Sequence, residues 1–253
     1  IPEMIARCQE LGMDSMAITD HGVMYGVIDF YKEALKQGIR PILGCEVYLT
    51  GGSRFDREVG KGEDRYYHLV LLAENNQGYA NLMKIVSTGF IDGFYYKPRV
   101  DFETLERYHE GIIALSACLA GEVSRNLTRN MYPEAKKAAL RYLSIFGPEH
   151  FYLELQDHGY PEQRKVNAGL LQLHEETGIP LVATNDIHYT RKEDAEPHDI
   201  LLCLQTGKKI SDQDRLRYPG GQFYIKSEEE MRALFPYAQE ALDNTHKIAE
   251  RCN

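Results

Sequence analysis

Six apolar runs, at residues 15–19, 39–43, 66–73, 111–116, 151–156 and 179–182, alternate with segments whose apolar side chains recur at helical spacing. Runs that continuous leave no polar face for solvent, so each reads as a strand buried on both sides. Strands of this kind separated by helices imply a parallel sheet covered on both faces, and 253 residues suits one α/β barrel, typically ~250. The helical segments fall at 2–11, 27–37, 75–91, 101–108, 133–146, 161–177 and 193–204. Ser227 and Glu230 have the spacing of a capping box, which predicts a helix over 227–235, with a last helix over 236–251. A barrel opens on a strand, whereas this sequence opens on a helix. Its first strand is therefore expected before Ile1, and the helices of 227–253 are expected to lead toward further modules.

Composition narrows the function classes. A net charge of −9 argues against gripping duplex DNA by a broad basic face, because that mode of binding neutralises phosphates. Bound divalent cations can still reverse the field of a single cleft. There is no run of ~18 apolar residues and no charged-then-apolar leader, so neither a membrane span nor a signal peptide is expected, and the chain reads as cytoplasmic. Cys8, Cys45, Cys118, Cys203 and Cys252 lack the paired spacing of a zinc ribbon or a disulfide framework. Their default is a small, reduced, buried side chain.

Titratable side chains gather where the apolar runs end. Asp20 and His21 follow the first run, Glu46 the second, Cys118 the fourth, and Asp186 with His188 the last; His68 lies near the start of the third. In a closed parallel sheet the C-terminal strand ends converge on the face where chemistry is assembled. Singly, each has a bland reading as a solvated glutamate, a hydrogen-bonded core histidine or a polar turn. Together, nitrogen, oxygen and sulfur donors suit zinc, with manganese or iron where carboxylate and imidazole dominate. Cys118 falls at a strand-to-helix turn, where a thiolate would be favoured by the helix N-terminus or by a metal. Residues 93–99 interleave three aromatics with Lys97 and Arg99: either a surface for a base and a phosphate, or a packed loop with solvated cations.

Thr19-Asp20-His21-Gly22, Gly44-Cys45-Glu46-Val47-Tyr48, His68-Leu69-Val70-Leu71-Leu72-Ala73, Ser116-Ala117-Cys118-Leu119-Ala120-Gly121-Glu122 and Ala183-Thr184-Asn185-Asp186-Ile187-His188-Tyr189 stand in a telling order. Their order and spacing resemble the polymerase and histidinol phosphatase (PHP) domain. Asn75-Asn76-Gln77-Gly78-Tyr79, Lys97-Pro98-Arg99, Leu153-Glu154-Leu155-Gln156, Ala195-Glu196-Pro197-His198-Asp199 and the closing residues 241–253 are similar to the variant of that domain opening bacterial DNA polymerase III alpha subunits. The resemblance covers essentially the whole chain. It implies one PHP domain over 1–253, a distorted (β/α)7 barrel lacking its first strand here, whose cleft holds up to three divalent metals (Zn, Mn or Fe). It also implies that Glu46 bridges two metals, His68 and Cys118 complete the second, Asp186 belongs to the first, and His188 pairs with His21 on the third. The family's opening His-x-His has no counterpart in this sequence, so the first and third sites are expected to be completed by the absent strand.

The resemblance further implies metal-dependent 3′-5′ exonuclease capacity for proofreading, beside DNA synthesis by the rest of the subunit. Asp20, Glu46 and Asp186 are the expected catalytic carboxylates, with Asp20 orienting an imidazole such as that of His21. Lys97, Arg99, Arg191, Lys208 and Lys209 are the expected strand contacts. The expected partners are a primer 3′ end, polymerase modules of the same subunit and a separate proofreading subunit. Two other readings stay open: a small-molecule phosphoesterase of the histidinol phosphatase type, and a catalytically silent scaffold for the polymerase.

Overall fold

A computed structural model describes residues 1–58 and 65–253. Its first half runs α1 (Pro2–Glu10), β1 (Ser15–Ile18), α2 (Val27–Lys36), β2 (Arg40–Leu49), β3 (Tyr67–Ala73), α3 (Asn76–Ile91), β4 (Phe94–Tyr95), β5 (Lys97–Val100) and α4 (Phe102–Tyr108). Then follow β6 (Ile112–Leu115), α5 (Glu122–Thr128), α6 (Tyr132–Phe146), β7 (Phe151–Leu155), α7 (Pro161–Thr177), β8 (Leu181–Ala183), α8 (Ala195–Thr206), α9 (Glu228–Leu234) and α10 (Gln239–Arg251). Several boundaries carry their own chemistry. The Asn75 and Asp101 side chains accept from the backbone of Gly78 and Thr104 to start α3 and α4, and Ser227 with Glu230 forms the capping box of α9.

The sheet order is β4-β5-β2-β3-β6-β7-β8, with β1 also pairing to β2. On one edge β2 pairs in parallel with β1 near its start and with β5 near its end; on the other it pairs with β3, antiparallel. β3 is antiparallel to β6 as well, whereas β6, β7 and β8 are mutually parallel. The expected all-parallel sheet is thus corrected to a mixed one. The physical reason is the connection: among the described residues no helix separates β2 from β3, and successive strands without a crossover pair antiparallel. The reversal matters for the site. His68, at the start of β3, sits opposite Tyr48 near the end of β2, so it shares an end of the sheet with its neighbours' C-termini.

Alternation along the strands sorts the core into two layers. Cys45, Val47, Leu49, Leu69, Leu71, Ile112, Ala114, Phe151, Leu153, Leu155 and Leu181 face outward, beneath α3, α6 and α7. Ile42, Val70, Leu72, Ile113, Leu115, Tyr152 and Val182 face inward and pack with Ile248 and Ala249 of α10 and with Cys252 just after it. The strands are therefore apolar on both sides, as their composition requires, and α10 closes one mouth of the curled sheet. Its seat is polar at the edges: Asn244 donates to Leu181 O at 2.7 Å and Arg40 to Ala249 O at 3.0 Å. β1 and β8 share no ladder among the described residues. No helix is long and apolar enough to cross a membrane among the described residues.

At that closed mouth, Arg251 Nε donates to Glu74 at 2.8 Å and His150 Nε2 lies 3.1 Å from the same carboxylate. Burial alone would raise the Glu74 pKa; Arg251 and His150 outweigh it and hold the group below 4.5. A depressed carboxylate contributes stability above its unfolded pKa and loses it as pH falls through its lower folded value. Glu74→Gln is therefore expected to unfold more easily than the parent at neutral pH. The gap should close in acid, as read from denaturant midpoints across the two ranges.

Candidate metal centre

The chain leaves β1 and turns through Asp20, His21 and Gly22. Gly22 N donates to Glu46 O at 2.8 Å and its φ is +70°, the left-handed region. A Cβ there would lie 2.7 Å from the Tyr48 ring and 3.0 Å from Pro98, so the turn excludes a side chain twice over. The turn sets His21 beside the next strand, with Nδ1 2.6 Å from Glu46 Oε1. His68 Nδ1 lies 2.8 Å from that same oxygen, and Cys118 Sγ lies 3.6 Å from His68 Nδ1. One ligand atom each from His21, Glu46 and His68 falls within 4.8 Å of the others. Glu46 was expected at a strand end. Instead β2 continues to Leu49, and Glu46 lies mid-strand on the inward face.

The second half of the cluster comes from the loop after β8. His188 Nε2 lies 3.3 Å from Asp186 Oδ1, and the His21 and His188 ring centroids are 6.0 Å apart. All six donors predicted from the sequence thus gather at one end of the curled sheet. Asp186 has φ +43°, strained for a residue with a side chain, and the surroundings hold it there. His158 lies with Nε2 2.7 Å from Asn185 O, and Gln163 Nε2 lies 2.8 Å from His158 Nδ1, which fixes the proton on Nε2. Burial holds His158 below the usual histidine pKa, in keeping with that neutral form. Lys226 donates to Asn185 Oδ1 at 3.0 Å, and Phe223 stacks on His158 at 3.9 Å. Neither His158 nor Lys226 was singled out for this role from the sequence. The Asp157-His158-Gly159 turn after β7 was the only local signal.

Electrostatics favour a cation. Burial would raise Glu46, yet its contacts to His21 and His68 hold it down at about 2. In turn the Glu46 contact raises the His21 pKa, against the burial that would lower it. Burial first, then the carboxylates of Glu46 and Asp186, pushes the Cys118 thiol well up, so without a cation it is protonated. A bound divalent ion inverts that local logic and takes the thiolate. The set of imidazole, carboxylate and thiol donors matches the ligand chemistry of zinc-class ions. A further carboxylate lies deeper: Glu154 is 4 % exposed and pushed up to about 7 by burial, opposed by bonds from Thr184 and Gln156.

The other predicted residues divide. Asp20 contributes its carbonyl, accepting from Glu46 N at 3.0 Å, and its carboxylate lies over Gly26; among the described residues it has no bond to His21, which Glu46 orients. Lys97 stands at the rim, its ammonium 5.2 Å from the Tyr48 ring centroid. Arg99 is 1 % exposed and donates to the carbonyls of Gly93, Arg54 and Asp56, so it braces a loop and faces no strand. Arg191 pairs with Glu10 at 2.8 Å. Lys208 and Lys209 are exposed beyond the end of α8.

The family described as PHP domain matches residues 1–158. The DNA polymerase III subunit alpha of Treponema pallidum is 45% identical over 253 residues, which is 100% of this chain and 22% of that protein. The subunit of the same name from Borreliella burgdorferi is 46% identical over the same 253 residues, again 100% of this chain and 22% of that protein. The chain thus spans about a fifth of the length of the curated relatives it matches. A solved amidohydrolase from Chromobacterium violaceum aligns with TM-score 0.44 and 14% identity, over 72% of this chain and 79% of that one.

Proposed function

Because the chain belongs to the PHP domain family, we propose that it is the PHP module of a DNA polymerase III alpha subunit and a metal-dependent 3′-5′ exonuclease. The observation that carries this reading is the convergence of His21 and His68 on the Glu46 carboxylate, with Cys118 against His68 and with Asp186 and His188 beside them. Those six side chains would hold divalent ions. When bound, such ions supply positive charge to a phosphodiester and lower the pKa of water toward neutrality. The protein's own contribution is placement. Glu46 stays ionised and anchors two imidazoles, while the His158 and Lys226 bonds keep the Asp186 loop in its strained shape. Lys97 brings a cation to the rim beside His21 for a phosphate of the strand. Tyr66 stacks on His68 with centroids 6.3 Å apart and meets Tyr48 at 4.9 Å, giving an aromatic surface for a terminal base.

The test is removal of nucleotides from a 3′-labelled single-stranded oligonucleotide by the full-length protein with Mn²⁺ or Zn²⁺. Asp186→Asn is expected to lose that activity while primer extension continues. Nuclease activity equal to the parent's would defeat the reading, and faster turnover of histidinol phosphate than of DNA would favour the phosphomonoesterase. Lys97→Ala should raise KM for the oligonucleotide roughly tenfold, about 1.4 kcal/mol, with kcat little changed.

A further inference from the structure

We propose that Glu154 is a positioning residue that imposes the left-handed turn at Ala117 and thereby aims the Cys118 thiol at His68; this rests on the metal-centre reading above. β6 ends at Leu115, and the chain must reverse sharply to deliver Cys118. It does so with Ala117 at φ +62°, a conformation that any residue with a Cβ resists. Glu154 Oε2 accepts from Ala117 N at 2.8 Å, and Glu154 N donates to Ser116 Oγ at 2.8 Å. Ser116 N in turn donates to Tyr152 O at 3.0 Å, so two successive residues of the turn are clamped to β7. Gly121 N closes the far side by donating to Cys118 O at 2.9 Å.

The other oxygen of the carboxylate reaches the neighbouring loop. Glu154 Oε1 accepts from Gln156 Nε2 at 3.1 Å and from Thr184 Oγ1, two residues ahead of Asp186. A single buried side chain therefore ties the loop that presents Cys118 to the loop that presents Asp186. Glu154 bonds to none of the six donors among the described residues; it acts on them through the backbone.

The test uses Co²⁺ alone as the probe, titrated into the full-length protein and read by thiolate-to-cobalt charge-transfer absorption in the near ultraviolet. Cys118→Ser identifies the part of that absorption due to this thiol. Glu154→Gln keeps the volume but offers an amide donor where three donors already point. It is expected to weaken Co²⁺ binding at the thiolate site roughly tenfold or more and to lose the Cys118 band. Ala117→Gly, which adopts the left-handed turn freely, should keep the band alone and restore it in combination with Glu154→Gln. A purely structural loss would not be rescued this way. A Cys118 band that survives Glu154→Gln, or one that Ala117→Gly fails to restore, overturns the inference while leaving the metal centre standing. A parent protein with no band sensitive to Cys118→Ser overturns both.

Discussion

Glu46→Gln is expected to cut divalent-metal affinity at the centre by more than ~100-fold, beyond the range typical of residues that act only on ligands. The reason is geometric and electrostatic together. One oxygen of Glu46 lies 2.6 Å from His21 Nδ1 and 2.8 Å from His68 Nδ1, and the group is held ionised, its pKa at about 2. Glutamine fills the same volume without charge and turns a donor amide toward two imidazoles. Isothermal titration of the full-length protein with Mn²⁺ and Zn²⁺ measures the effect. Unfolding should stay cooperative, because the inward apolar residues and α10 close the core at the other end of the sheet. Parent-like affinity in a folded Glu46→Gln protein would remove Glu46 from the centre.

Gly22→Ala carries the second large effect, acting on the scaffold of the same site. The left-handed conformation costs a residue with a Cβ ~1–2 kcal/mol. Wedging a methyl 2.7 Å from the Tyr48 ring adds an overpacking penalty of about 1–3 kcal/mol. The sum predicts a stability loss of roughly 2–5 kcal/mol, read from the urea midpoint. Because Gly22 N is bonded to Glu46 O, the strain falls on the contact that presents His21, so metal affinity should drop along with stability. A loss in stability with unchanged affinity would mean that the turn does not set the ligand.

How much of this was legible in the sequence depends on how far apart the interacting residues lie. Helices such as 75–91 and 161–177 announce themselves by periodicity and by flanking Asn, Pro and Gly, whose effects are local. The strands announce themselves by apolar runs, but their direction does not: β3 runs against β2. The extension of β2 through Glu46 to Leu49 was hidden, since the apolar run ends at Leu43 and residues 44–49 are held extended by pairing with β3. The two-residue β4 and the start of β5 likewise exist through each other and lay inside a run read as a loop.

Four of the six candidate donors, His21, Cys118, Asp186 and His188, were legible because they follow strands, where an α/β sheet collects its chemistry; Glu46 lies inside β2 and His68 near the start of β3. The residues that hold those donors were not. Glu154 serves Ala117 and His158 serves Asn185, partners far apart in the chain that no local pattern links. Arg99 misled in the opposite sense. A cation beside aromatics suggests a solvent-facing contact, whereas this one is consumed by three carbonyls inside the protein.

The central claim is that donors from β2, β3 and the loops after β1, β6 and β8 enclose one cation-binding pocket. Its most direct test is an anomalous-difference map from crystals of the full-length protein soaked in Zn²⁺. The account predicts a peak about 2.3 Å from Cys118 Sγ and about 2.0–2.2 Å from His68 and Glu46. A map with no peak among these side chains, or with zinc only at sites elsewhere on the protein, would contradict it.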